Sequence, residues 1–285
     1  SLEKVDEVLE VESLRIADSY EWLGTGERAG RSLFVSQSTV SRSIKQFRVL
    51  SDQIKQYNCM ELLEMERVIH QKWRFHQGED LRLHVFRWSN HLIAKHAVAR
   101  WRLNPAEVSA TKRPVLELLE RRVIDAACAP YPLIATADKG IFACLPLYRS
   151  CLQVMTNKNF DITHEKGLYS GDIATKTVLG TLQFVPPEAV HCSAHLDAIF
   201  FDAGESNKTT TRMPGRYWGT PLTPLVIPDL SPLDYVTSIP YEEYLVVRKE
   251  WAGHPHVSTL HQTIKQSMQR ALGDQLIAGL IDFVA

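Results

Sequence analysis

A chain of 285 residues, 45% hydrophobic and 23% charged, is long enough for two domains and has an ordinary globular composition. With a formal net charge of -1, the protein as a whole does not attract nucleic acid electrostatically. The sequence shows neither a signal peptide nor a long apolar span, so we expect neither export nor membrane insertion. The five cysteines lack metal-ligand spacing, so we expect reduced thiols in a cytoplasmic protein without bound metal or cofactor.

The first predicted element is a helix over residues 5–24, and a shorter helix with Thr25 as a candidate cap follows over residues 27–33. The balance of charge changes here. Residues 1–27 carry eight acids and two bases, whereas residues 28–56 carry six bases and one acid. Such a local basic patch is expected of a small DNA-reading module, although most charge patches are solvated surface.

The third predicted helix extends from Ser36 to Arg48. Ser36 can cap its first turn, Val35 and Val40 have the spacing of a hydrophobic staple, and the opposite face is polar. A short helix, a tight turn and a polar-faced helix form a helix-turn-helix pattern, the alternative being an ordinary surface helix. We predict base contacts by Gln37, Ser38 and Arg42, and phosphate contacts by Arg31, Ser36, Ser41 and Lys45.

Residues 28–44 resemble the DNA-binding motif of LysR-type transcriptional regulators, approximately A-A-x-x-L-x-V-S-Q-P-A-V-S-R-x-I. Gly30 replaces the second Ala and Ser38 the Pro, and residues 50–57 lack the glycine that precedes the family's basic wing, which predicts a truncated or lost wing. The resemblance implies an α/β protein with an N-terminal all-α (winged) helix-turn-helix, a linker helix and a two-lobed effector domain like periplasmic binding proteins.

Residues 57–79 are predicted to form the linker helix, because apolar residues recur in it at coiled-coil spacing. The segment either pairs two subunits or packs within one chain, and its position after a DNA-reading motif favours pairing. The resemblance implies a homodimer or homotetramer built through this helix and the effector domain, with RNA polymerase as a further partner. The predicted seam consists of Leu62, Met65, Ile69 and Trp73.

From residue 80 the pattern predicts a parallel sheet with helices on its faces. The expected domains are residues 1–56, 57–79 and 80–285, the last divided into lobe I (about 80–154 and 249–285) and lobe II (about 155–248). Residues 118–127 resemble L-L-x-x-G-x-L-D-x-A-I of the family's effector domain. Strands are predicted at 81–86, 108–110, 123–129, 147–155, 177–184, 189–192 and 244–248, helices at 91–103, 114–122, 196–203 and 257–272, and mainly loop at 221–240.

A cleft between two lobes is the default place for a small-molecule effector, and the loops after the strands should face it. No catalytic motif occurs, and the cluster at 191–197 is the only hint of an enzyme. We therefore predict an effector-controlled regulator that binds double-stranded DNA or, alternatively, a sensor that has lost specific DNA binding. The candidate effector contacts are Trp88, Ser89, Asn90, Thr111, Lys112, Arg113, Pro130, Tyr131, Ser193 and His195.

Overall fold

A computed structural model describes residues 11–85, 89–90, 93, 100–105, 111, 113–130, 134, 137–157, 216–219, 230–272 and 281–282. Within these residues, four helices precede a mixed α/β sheet. The helices are α1 (Val11–Leu23), α2 (Gly26–Leu33), α3 (Gln37–Gln56) and α4 (Met60–Gln77).

The N-terminal helices pack around α1, which contacts both α2 and α3. One small core joins Ile16 of α1 to Ala29 and Leu33 of α2 and to Val40 of α3. α3 runs eight residues beyond the predicted end at Arg48. Its later apolar residues explain this length, because a second core formed by Leu14, Leu50, Ile54 and Leu63 buries them.

The strands are β1 (Leu81–Val85), β2 (Trp101–Leu103), β3 (Ala126–Pro130), β4 (Phe142–Asn157), β5 (Arg216–Gly219), β6 (Leu230–Arg248) and β7 (Ile281–Asp282). The sheet has the order β2-β1-β3-β6-β4-β5, and β7 pairs with β4 outside this path. β1 is parallel to β2 and β3, as the sequence predicts, whereas every pairing of β4 and β6 is antiparallel. The described sheet is therefore mixed, with the predicted parallel part at β1, β2 and β3.

Two sequence predictions are corrected by strands. The helix predicted over 91–103 does not include Trp101–Leu103, because Arg100 has a positive φ of 77° and the next three residues pair with β1. Residues 230–240 belong to β6 rather than to a loop. Pro240 pairs with Cys151 of β4 beside a register shift, where a ladder tolerates a residue without an N–H. The predicted strands at 108–110, 177–184 and 189–192 and the helix at 196–203 lie outside the described residues.

Helices cover both faces of the described sheet. On one face, α6 (Pro255–Leu272) and Phe75 of α4 pack against β1, β3 and the ends of β4 and β6. On the other face, α5 (Val115–Glu120) packs together with Trp22 and Leu23 of α1. The first helix thus belongs to the core of the α/β domain as well as to the helical unit. Among the described helices, none is both long and apolar enough to cross a membrane.

Candidate nucleic-acid interface

The helix-turn-helix is closed by a tight approach at Gly30. Thr25 Oγ1 accepts a hydrogen bond from the N–H of Arg28 at 3.2 Å, which caps α2. The N–H of Val35 then donates to the carbonyl of Gly30 at 3.0 Å. A Cβ at position 30 would lie 2.8 Å from the carbonyl oxygen of Val35, closer than side-chain carbons pack. A side chain at position 30 would therefore force the backbone of this turn to shift.

The turn itself contains an exposed aromatic residue in the left-handed region. Phe34 has φ 58° and ψ 35°, and its side chain is 97% exposed. Its N–H donates to the carbonyl of Arg31 at 3.4 Å. A left-handed residue at this position closes the end of α2, but the conformation costs free energy for any residue that carries a Cβ.

Ser36 caps α3 as the sequence predicts. Its Oγ accepts a hydrogen bond from the N–H of Thr39 at 3.1 Å and lies 2.8 Å from the hydroxyl oxygens of Ser38 and Thr39. Val35 packs against the core that contains the fully buried Val40, the two positions of the predicted staple. The cap and the staple together fix the direction in which α3 leaves the turn.

The predicted reading residues lie on the solvent side of α3. We call this set the recognition face, and no described residue forms an ion pair with its two cations, Arg42 and Lys45. Arg31 on α2 is also exposed and pairs with Glu27 at 2.5 Å. Short donors at the helix start and longer bases beyond it match what duplex DNA offers. The recognition face comprises Ser36, Gln37, Ser38, Ser41, Arg42 and Lys45, all of them exposed.

No wing follows the recognition helix. α3 ends at Gln56, only residues 57–59 connect it to α4, and residues 37–77 contain no β-strand. The resemblance implies a winged helix-turn-helix, but here the helix-turn-helix has no wing and α3 is followed directly by α4. The missing glycine between residues 50 and 57 is the sequence signal for this difference.

The predicted linker seam is exposed on α4. The exposed fractions of Leu62, Met65, Ile69 and Trp73 are 41%, 62%, 53% and 45%. These residues form one apolar strip, which we call the linker face. The buried side of the same helix instead carries polar side chains, including Arg67, Gln71 and Arg74.

These buried polar residues belong to a cluster that the sequence reasoning missed. Arg67 donates to Asp18 Oδ1 from Nε at 3.0 Å and from Nη2 at 2.6 Å, and to Glu21 Oε2 at 3.1 Å. Burial lowers the pKa of Arg67, but the charges of Asp18 and Glu21 outweigh burial, so the pKa is raised. This pairing attaches α1 to the linker helix.

A second set of contacts attaches the linker helix to the sheet. Arg74 donates to Asp125 from Nε at 2.9 Å and from Nη2 at 2.7 Å, and the backbone N–H of Arg82 donates to the same carboxylate at 2.9 Å. The Arg82 side chain bonds the carbonyl of Val123 at 2.8 Å. Burial, followed by the charge of Arg74, lowers the pKa of Arg82 to about 10.

Together these groups form what we call the ionic junction: Asp18, Glu21, Arg67, Arg74, Arg82 and Asp125. Three carboxylates face three guanidinium groups within this set, and the half-buried Glu21 also pairs with Arg113 and Arg121. Trp22 adds a neutral contact, because its Nε1 donates to His84 Nδ1 at 3.1 Å. The junction connects the helix-turn-helix to the α/β domain through α1 and α4. Acidic residues at helical spacing in α1 were its only signal in the sequence.

Two candidate effector residues lie together at the end of β1. Ser89 is buried, and its Oγ donates to Glu243 Oε1 of β6 at 2.5 Å. Asn90, also buried, donates to the carbonyl of Asn104 at 2.8 Å. Pro130 ends β3 and pairs with Glu243 in the sheet. Ser89 and Pro130 thus both lie beside Glu243 of β6, whereas Asn90 is bonded to Asn104.

The other candidates are more dispersed. The Thr111 hydroxyl donates to the carbonyl of Arg113. The Arg113 guanidinium contacts Glu21 at 2.6 Å and Glu117 at 2.6 Å, which places it against α1. The remaining candidates, Trp88, Lys112, Tyr131, Ser193 and His195, lie outside the described residues.

No protein-family model and no curated protein matches the chain, but solved structures do. An H2O2-bound OxyR mutant from Corynebacterium glutamicum is 11% identical, with 93% of this chain and 94% of that chain covered and a TM-score of 0.43. CbnR complexed with its target DNA is 13% identical (90% and 99% covered, TM-score 0.40). CrgA, a LysR-type transcriptional regulator from Neisseria meningitidis, is 14% identical (90% and 98% covered, TM-score 0.38). The family that residues 28–44 resemble is thus represented among the matching structures.

Proposed function

We propose that the chain is a DNA-binding transcriptional regulator of the LysR type, without catalytic activity, that is controlled by a small-molecule effector. The observation that carries the proposal is the recognition face. Its polar and basic side chains point to solvent from a helix whose apolar side is fixed against α1 and α2. α3 enters the major groove, where Gln37, Ser38 and Arg42 contact base edges and Lys45 contacts a phosphate.

The linker face supports the pairing of two subunits. Four large apolar side chains exposed along one helix are costly in a monomer, and burial in a partner's identical face would remove them from water. A pair of chains would also present two recognition helices to two half-sites. We propose a homodimer through this face, with the effector domain as the second contact in a tetramer.

The effector is proposed to bind between the lobes, beside Ser89 and Asn90. What supports this position is that the Ser89 hydroxyl bonds the buried carboxylate of Glu243 beside the end of β3, and that the buried amide of Asn90 is the next residue along the chain. The crossing strands β4 and β6 run through the same place, so a bound molecule there would bias the relative position of the lobes.

The DNA proposal is tested by selecting duplexes from a random pool with the full chain and measuring affinity for the selected and a scrambled sequence. Arg42→Ala should reduce discrimination between them about 5- to 150-fold, since one bidentate base contact contributes about 1–3 kcal/mol. Arg270→Ala removes an exposed arginine from α6 and serves as the matched control. Failure to select any sequence, or equal discrimination by both variants, would reject the proposal.

A second function is favoured by one observation, the direct connection of α3 to α4 through residues 57–59. A chain without a wing has fewer phosphate contacts, which fits a ligand-binding sensor that has lost sequence-specific DNA binding. If the chain binds its ligand but has the same affinity for every duplex sequence, the sensor is favoured over the regulator.

A further inference from the structure

A cavity of about 420 Å³ lies where the helix-turn-helix, the linker helix and the α/β domain meet. Its volume is within the usual range of small-molecule sites, about 300–1,000 Å³. The cavity is separate from the residues near Ser89 and contains none of the recognition face. Its apolar wall is formed by Ala17 and Tyr20 of α1, Ile44 and Phe47 of α3, and Met60 and Leu63 of α4.

The polar part of the lining has an excess of positive charge. Arg48, Lys55, Arg113 and Arg121 surround the cavity, whereas Glu21 is its only carboxylate. Arg113 and Arg121 pair with Glu21, but Arg48 and Lys55 are exposed and form no ion pair with any described residue. Glu117, which is outside the lining, also pairs with Arg113 and Arg121, so the positive charge available to a ligand is that of Arg48 and Lys55. These two cations give a site that attracts an anion.

From this combination we propose that the cavity is a second ligand site, which binds an organic carboxylate with an apolar body. The apolar body lies against Phe47 and Leu63, and the carboxylate lies between the basic side chains at the rim. The guanidinium group of arginine can donate two parallel hydrogen bonds to the two oxygens of a carboxylate. A neutral ligand of the same shape lacks this pair of charged acceptors.

The position of the cavity gives binding a structural consequence. Its wall is shared by α1, α3 and α4, and two of its cations, Arg113 and Arg121, belong to the α/β domain. A ligand that contacts all of these elements binds only when they are packed together. Ligand binding therefore stabilises the contact between the helix-turn-helix and the α/β domain. The ligand carboxylate also replaces part of the ion pairing that Glu21 provides to Arg113 and Arg121.

The proposal is tested on the full chain by calorimetric titration with 1-naphthoate and with 1-naphthamide, which has the same rings and no charge. We expect one site per chain for the carboxylate and binding at least about tenfold weaker for the amide, because charge-assisted hydrogen bonds contribute about 1.5–3 kcal/mol. The double variant Arg48→Gln/Lys55→Gln should lower naphthoate affinity by about tenfold or more. Both residues are exposed, so folding should persist and can be verified by circular dichroism.

The double variant Lys72→Gln/Lys139→Gln is the matched control, since it also removes two exposed cations but none from the cavity. Its affinity should stay within about twofold of the wild type. Absence of naphthoate binding, equal affinity for the amide, or equal losses in both double variants would overturn the proposal. These titrations contain no DNA, so their outcome is independent of whether the recognition face binds a duplex.

Discussion

The recognition face and the ionic junction both carry charged side chains, but their surroundings differ. Arg42 and Lys45 are exposed and without an ion pair among the described residues, whereas Asp18 and Asp125 are buried and bonded to arginines. An exposed charge keeps its hydration and is available to a partner, but a buried charge must be satisfied within the fold. The first region is suited to binding and the second to holding the helical unit on the sheet.

The largest effect is expected inside the ionic junction. Asp125→Ala would leave the Arg74 guanidinium and the Arg82 N–H without their carboxylate, and we expect unfolding free energy to fall by about 3–5 kcal/mol. Urea unfolding would measure the loss. Glu27→Ala breaks the exposed pair with Arg31 and should cost about 1 kcal/mol or less. Similar small losses in both variants would show that the junction is not a strong connection.

A smaller difference in stability is expected between alanine substitutions at two glycines of the helix-turn-helix. Gly30→Ala places a Cβ 2.8 Å from a backbone carbonyl, whereas a Cβ at Gly26 would meet only side-chain atoms at 3.7 and 3.9 Å. We expect Gly30→Ala to be less stable than Gly26→Ala by about 1–3 kcal/mol, the usual cost of overpacking. Thermal unfolding of both variants checks this difference, and equal stability would contradict the close approach of α2 to the turn.

The smallest effect has the opposite sign. Phe34→Gly removes the strain of a left-handed phenylalanine whose side chain is 97% exposed. We expect a gain of about 0.5–1 kcal/mol, because the relief of about 1–2 kcal/mol is partly offset by the greater freedom of glycine in the unfolded chain. Phe34→Ala keeps a Cβ and should bring no gain. If the alanine variant is as stable as the glycine variant, backbone strain is not the cause.

The contrast between the two regions also explains which features the sequence could predict. The cap at Ser36, the staple of Val35 and Val40 and the linker face depend on residues a few positions apart, so a local pattern revealed them. Asp18 and Arg67 are 49 positions apart, and Arg74 and Asp125 are 51 apart. No spacing rule connects such residues, so the junction and the cavity became apparent only in the folded chain.

The errors in the sheet have the same origin. The strand at Trp101–Leu103 is too short to show an alternating pattern, and its pairing with β1 decides its conformation. Residues 230–240 contain prolines that predict a loop, but the long strand β4 supplies a partner and register shifts accommodate them. In both cases a tertiary partner overrides a local preference.

The central claim, that the recognition face binds the phosphates and bases of a duplex, is tested most directly by the salt dependence of DNA affinity. The slope of log K against log salt should be shallower for Lys45→Ala than for the wild type by about 0.9, the loss of one phosphate contact. Lys139→Ala, which removes an exposed lysine from the α/β domain, should keep the wild-type slope. An unchanged slope in Lys45→Ala would contradict the claim.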